Sequence, residues 1–141
     1  MTTARDLMTE DAACVRTTDT LVTAARQMRD LGVGAMPICG DDDRLAGVIT
    51  DRDIVVRCVA EGGDPSSTQV ESLADGKPVT IGADDDIDEA IRTMIDHDLR
   101  RLPVIDGQRL VGMLSQADIA QQFPEKAGRL VADLATSPDN S

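Results

Sequence analysis

Two stretches of this 141-residue chain close on the same pair of groups, a hydroxyl and, three residues later, a carboxylate. They read Gly47-Val48-Ile49-Thr50-Asp51-Arg52-Asp53 and Gly112-Met113-Leu114-Ser115-Gln116-Ala117-Asp118. The apolar residues before each hydroxyl suit the end of a buried strand, and the acid falls in the first turn of a following helix. A helix mouth offers unpaired backbone N–H groups and the positive end of the peptide dipole, so it favours an anion such as phosphate. A carboxylate beside it can hold a sugar diol. Phosphate and ribose together suggest a nucleotide. The same spacing is also that of a capping box, in which the hydroxyl bonds the third helical N–H and the acid reaches back, worth about 0.5–2 kcal/mol. Both readings fit the residues, because a duplicated unit also duplicates its caps.

Other chemistry finds few candidates. The single histidine, His97, stands in the polar stretch Asp96-His97-Asp98 at a helix end and reads as a solvated side chain. No nucleophile, base and orienting group can be assembled around it, so the chain is not expected to be an enzyme. Cysteines at 14, 39 and 58, without a CxxC pair, make neither a disulfide scaffold nor a dedicated zinc site, and no metal ligands are assigned.

The elements that carry the two motifs are themselves repeated. Ala24, Arg26, Met28, Asp30, Pro37, Arg44, Leu45, Gly47, Asp53 and Ile54 return as Ala90, Arg92, Met94, Asp96, Pro103, Arg109, Leu110, Gly112, Asp118 and Ile119. The offset is 66 at Met28 and Met94 and falls to 65 at Arg44 and Arg109, a one-residue slip that a turn tolerates. In the first copy a strand is expected over 12–16, a helix over 20–31, strands over 36–39 and 45–50 around the turn at 40–44, and a helix from 51 to about 60. The second copy repeats this with a strand over 79–81, a helix over 87–97, strands over 102–105 and 110–115 around Asp106-Gly107, and a helix over 116–122. The order is β-α-β-β-α, used twice. Each right-handed crossover makes its outer strands parallel, and each hairpin is antiparallel. Short helical segments at 4–8 and 70–74 precede the copies. Pro124 to Ala135 forms a last amphipathic helix, and the tail from Thr136 is expected to fray. The expected fold is therefore a mixed α+β arrangement with domains at 1–64 and 65–123 and a C-terminal helix and tail at 124–141.

Bulk properties narrow the function. A half of about 60 residues is marginal alone, so paired packing of the copies is expected. A net charge of −12 and one aromatic residue, Phe123, argue against nucleic acid, which needs clustered cations and stacking rings. No apolar run approaches the roughly 18 residues of a membrane span, and Met1 to Asp6 open no signal-peptide core. A cytoplasmic location without membrane partners is expected.

The units 24–54 and 90–119, each with a helix, an apolar-Pro-apolar strand (Met36-Pro37-Ile38, Leu102-Pro103-Val104), a hairpin and Gly-h-h-[Thr/Ser]-x-x-Asp, where h is apolar, resemble CBS domains, and the pair resembles a Bateman module. The resemblance covers roughly residues 4–122, beginning at Ala4-Arg5-Asp6-Leu7-Met8. The stretch from Ile38 to Ile54 further resembles the stand-alone hypoxic-response CBS proteins of high-GC bacteria. It implies tandem repeats packed with pseudo-twofold symmetry and regulatory binding of an adenine nucleotide (AMP, ADP, ATP or a relative) between them, with no obligatory cofactor. Thr50 and Ser115 would lie near phosphate, Asp53 and Asp118 at ribose hydroxyls, and the strands around Pro37 and Pro103 beside the base. Without Trp or Tyr, the adenine walls would be aliphatic: Met36, Ile38, Leu102 and Val104. Arg100 and Arg101 precede Leu102 where the first copy has Gly34 and Ala35, so phosphate finds its cations on the second copy, with Arg52 as the first copy's candidate. The resemblance also implies a homodimer. Since such pairs report to an enzyme, channel or DNA-binding domain and the 141 residues show none, action on an effector protein in trans is expected. The alternative is a ligand-free structural dimer whose nucleotide sites have become caps.

The crossover also makes the strands bearing Cys14 and Cys39 parallel neighbours, about 4.8 Å apart, within disulfide reach. A Cys14–Cys39 bridge would close a loop of about 25 residues and stabilise by roughly 3 kcal/mol. The matching residues in the second copy are Thr80 and Ile105, so the fold does not require the pair. Two buried reduced thiols fit equally, and Cys58 reads as core.

Overall fold

The computed structural model describes residues 1–10, 13–74 and 77–135. In chain order the elements are α1 (Ala4–Leu7), β1 (Thr9–Glu10), β2 (Val15–Arg16), α2 (Leu21–Leu31), β3 (Ala35–Cys39), β4 (Leu45–Thr50), α3 (Asp51–Ile54) running into a π-helical segment (Val55–Val59), a 3₁₀ turn (Val70–Leu73), β5 (Ile81–Gly82), α4 (Ile87–His97), β6 (Arg101–Asp106), β7 (Arg109–Ser115), α5 (Gln116–Gln122) and α6 (Pro124–Ala135). The β-α-β-β-α order is present in both copies. Both crossovers pair their strands in parallel, β2 with β3 and β5 with β6. Both hairpins are antiparallel.

The two α-helices that open the copies form for the same reasons. Thr20 caps α2 by accepting the Thr23 N–H, and Asp86 caps α4 by accepting the Asp88 N–H. Leu21, Ala24 and Met28, and likewise Ile87, Ala90, Ile91 and Met94, recur at helical spacing and are buried. Both helices stop on a left-handed residue, Gly32 at φ 69° and its counterpart Asp98 at φ 61°. Glycine or a short polar side chain tolerates that conformation best.

Three elements differ from the sequence expectation. The outer strands are only two residues long and start later, at Val15 and Ile81, because each pairs with just two residues of its neighbour; Ala12 lies outside the described residues. The helix after Thr50 is α-helical only to Ile54 and then widens to a π-helix. The inward spacing of Ile54 and Cys58 satisfies either geometry. Finally β1, which two residues could not signal by periodicity, pairs antiparallel with β7 and makes that sheet four-stranded, in the order β1-β7-β6-β5. The expected fraying from Thr136 also falls outside the described residues.

By contact the chain divides into two compact units. One unit joins Met1–Ala12 to Val79–Ser141, and the other is Ala13–Pro78. In the first of these, Ala4 is fully buried in a core with Ile81, Met94, Leu102, Val104, Leu114, Ile119 and Leu130. Backbone bonds from Ala4 N to Asp85 O and from Arg5 N to Ala83 O, each 2.9 Å, hold α1 there. The Arg5 guanidinium reaches Asp84 and Asp106. In the second unit, Val70 and Leu73 belong to a core with Val15, Leu21, Met36, Ile38 and Ile49. Each short segment thus packs on the copy that does not follow it in the chain.

Candidate functional site

Both motifs form complete capping boxes. Asp53 N donates to Thr50 Oγ1 at 3.0 Å, and Thr50 N donates to Asp53 Oδ2 at 3.0 Å. In the second copy Asp118 N donates to Ser115 Oγ at 3.1 Å and Ser115 N to Asp118 Oδ2 at 2.9 Å. The capping reading of the sequence is therefore correct. It leaves each hydroxyl proton and each Oδ1 outside the cap, so a ligand could still meet both groups.

The glycine that opens each motif has a steric cause. A Cβ at Gly112 would lie 2.6 Å from Thr9 O and 2.7 Å from Met8 Sδ, and one at Gly47 would lie 3.1 Å from the Ala74 Cβ. The strand β7 passes under the segment 8–9 so closely that only a missing side chain fits, and β4 passes against residue 74 with less crowding.

Strand pairing places the residues flanking each mouth. Arg101 stands across from Ser115 in the β6–β7 ladder, where the first copy sets Ala35 across from Thr50. Arg100 O accepts from Gln116 N at 3.0 Å just as Gly34 O accepts from Asp51 N at 2.9 Å. The second mouth therefore gathers Arg100, Arg101 and a neutral Gln116 around Ser115 and Asp118. The first gathers Asp51 with Thr50 and Asp53. A Cβ at Gly34 would meet Asp51 Oδ2 at 3.1 Å. Arg52 is exposed one residue further along the helix. Asp51, which sequence reasoning passed over, sets the charge of the first mouth; comparing it with Gln116 in the repeat would have found it.

The residues expected as aliphatic walls are buried. Met36, Ile38, Leu102 and Val104 are 0–1% exposed and sit inside the helix-facing cores. Pro37 and Pro103 are also buried, and strand alternation turns them to the opposite face of β3 and β6.

Cys39 is fully buried and Cys14 half-buried, both as free thiols. Cys14 stands one residue before β2, whose Arg16 pairs with Cys39. Burial, then the bond to Cys14, pushes the Cys39 thiol up to about 12, so it stays protonated at neutral pH and is no nucleophile. Cys58 is buried in the core. His97 is exposed, its Nδ1 3.2 Å from Thr93 O. No cluster of three or more His, Cys, Asp or Glu side chains forms a metal site among the described residues. No described helix is long and apolar enough to cross a membrane.

The profile of the family described as "CBS domain" matches residues 4–59 and again residues 70–125. The chain belongs to the CBS-domain family. Among CBS relatives, Hypoxic response protein 1 of Mycobacterium tuberculosis is 47% identical over 127 residues, 90% of this chain and 89% of that one. The uncharacterised protein YlbB of Bacillus subtilis is 36% identical over 138 residues, 96% and 93% of the two chains. Of solved CBS structures, that of Hypoxic Response Protein I with two coordinated zinc ions matches with a TM-score of 0.82 and 46% identity, over 87% of this chain and 100% of that one. The structure of CBSX2 in complex with AMP matches with a TM-score of 0.75 over 86% and 95%; at 22% identity that likeness is one of fold.

Proposed function

We propose that this CBS pair is a non-catalytic, cytoplasmic regulator that binds an adenine nucleotide and acts, as a homodimer, on an effector protein in a stress response such as hypoxia. The observation that carries the nucleotide reading is the charge around the second mouth. Ser115 and Asp118 carry the hydroxyl and a ribose-competent carboxylate, Arg100 and Arg101 hold the neighbouring strand positions, and Gln116 stands where the first copy has Asp51. Phosphate would sit by Ser115, Arg100 and Arg101, and Asp118 Oδ1 would take ribose hydroxyls. The first copy, with Thr50 and Asp53 beside Asp51, is the weaker half-site, and Arg52 is its cation. The hypoxic-response relative supports the stress setting, and the AMP-bound neighbour supports the ligand class.

A thermal-shift panel of AMP, ADP, ATP, NAD and S-adenosylmethionine tests this. A ligand at about 100 times its Kd adds roughly 2.7 kcal/mol, or on the order of 9 °C in Tm for a chain of this size. At least one adenine nucleotide should do so, with the shift lost in Arg101→Ala and Asp118→Ala. A flat panel would favour the second reading, a ligand-free dimer, which the caps and the fully buried Met36 and Leu102 support. In either reading we propose that Cys14 and Cys39 join under an oxidising disulfide such as oxidised glutathione. Two thiols become one disulfide while the oxidant takes up two electrons and two protons.

A further inference from the structure

A groove of about 550 Å³ runs between α4 and α6, within the unit that holds the second copy. From α4 it is lined by Asp88, Ile91, Arg92 and Ile95, one face of the helix at i, i+3, i+4, i+7, and from α6 by Glu125, Lys126 and Arg129. The α4 residues span about 10 Å at roughly 1.5 Å per residue. The volume falls in the range of small-molecule sites, about 300–1,000 Å³. The repeat by itself does not build this groove. In the first copy the helical run ending at Val59 is followed by no second helix before the turn at Val70–Leu73, whereas α5 leads directly into α6. Lys126 and Arg129 also lie beyond residue 125, where the second match to the CBS profile ends.

The charges of the groove do not cancel among themselves. Lys126 Nζ pairs with Asp88 Oδ1 and lies 5.5 Å from the centre of the Phe123 ring, so that cation and that acid answer each other. Arg92 and Arg129 have no carboxylate within ion-pair distance among the described residues, and Glu125 has no cation. Two open guanidiniums against one carboxylate leave the lining positive in a chain of net charge −12. Beside them Ile91, 8% exposed, and the half-buried Ile95 give an apolar floor. This combination selects a ligand. A guanidinium holds a carboxylate through paired N–H donors, and an apolar chain on the isoleucines removes their surface from water. An anion without a chain leaves the isoleucines wet, and a neutral chain leaves the guanidiniums unanswered.

We propose that the α4–α6 groove binds a medium-chain fatty carboxylate, of roughly eight carbons by the length of its floor, with the chain along Ile91 and Ile95 and the carboxylate held by Arg92 and Arg129. None of these residues belongs to either helix mouth, so the site stands apart from the nucleotide reading and does not depend on it.

Titration of the isotopically labelled full chain with octanoate, kept below micelle formation and followed by amide chemical shifts, tests the site. Saturable shifts should concentrate at residues 91–95 and 125–130. Acetate, which has the charge without the chain, and methyl octanoate, which has the chain without the charge, should each bind at least about tenfold more weakly. Arg92→Gln and Arg129→Gln should each weaken octanoate about tenfold, the scale of one charge-assisted hydrogen bond. Arg26→Gln, at the position of the first copy that matches Arg92, should leave the affinity within about 2-fold. All three arginines are exposed, so each variant should keep the circular dichroism of the wild type. Absence of saturable shifts, binding of methyl octanoate or octylammonium as tight as that of octanoate, or an affinity that survives Arg92→Gln combined with Arg129→Gln would overturn the proposal.

Discussion

At the scale of single residues, Thr50 with Asp53 and Ser115 with Asp118 close the same reciprocal cap at the start of a helix in both copies. Each cap hydroxyl satisfies an otherwise unpaired backbone N–H. Thr50→Ala and Ser115→Ala should therefore each cost about 1 kcal/mol in urea denaturation, while Thr50→Ser should cost little. The burial of Met36 and Leu102 was not legible, because an apolar-Pro-apolar strand does not say which of its faces the helices cover. Cys39 offers a pH-dependent test at the same scale. Its thiol is pushed up to about 12 in the fold by burial and by Cys14, whereas in the unfolded chain a thiol titrates at about 8.5. Between those values the unfolded state gives up a proton that the folded state keeps, so the stabilisation is intact below about pH 8.5 and lost as pH rises toward 12. Under reducing conditions the urea midpoint should fall from pH 8 to pH 10.5. The slope should be shallower in Cys39→Ala and in a Cys14–Cys39 oxidised sample, since neither has the buried thiol to titrate.

At the scale of elements, α2 and α4 could be read from the sequence because eleven-residue helices carry several turns of apolar periodicity. By contrast β1 and the π-helical segment could not: two residues have no period, and an i, i+4 apolar pair fits both helical forms. The motif glycines tie these elements together. A methyl at Gly112 would collide with a backbone oxygen, Thr9 O, and with Met8, while a methyl at Gly47 would press only on the Ala74 Cβ. Backbone yields less readily than a side chain. Gly112→Ala should therefore dislodge β1 from β7 and cost about 2–3 kcal/mol, within the range for overpacking, and Gly47→Ala should cost about 1 kcal/mol or less. Amide exchange should localise the first effect: protection lost at Thr9 and Glu10, with the β6–β7 hairpin retained. Equal costs at the two glycines would contradict this account.

At the scale of the whole molecule, the order of the elements was legible, but their ownership was not. Val70 and Leu73 are apolar at i, i+3 just ahead of the second repeat, so the sequence alone assigns them to that repeat. Only their burial among Val15, Leu21 and Ile49 shows that they complete the first. Ala4 is the reciprocal case. The consequence is measurable in fragments. A fragment of residues 13–78 holds every member of the first core, whereas residues 1–64 lack Val70 and Leu73 and carry α1 without its partners. Burial of two such side chains contributes roughly 3–6 kcal/mol. A unit of 66 residues has only about 3–10 kcal/mol of net stability. The missing turn is thus comparable to the whole. Fragment 13–78 should unfold cooperatively in urea, and fragment 1–64 should show little helix by circular dichroism and no cooperative transition. A fragment 1–64 as stable as 13–78 would mean that the 3₁₀ turn at Val70–Leu73 is an ornament of the first unit and not part of its core.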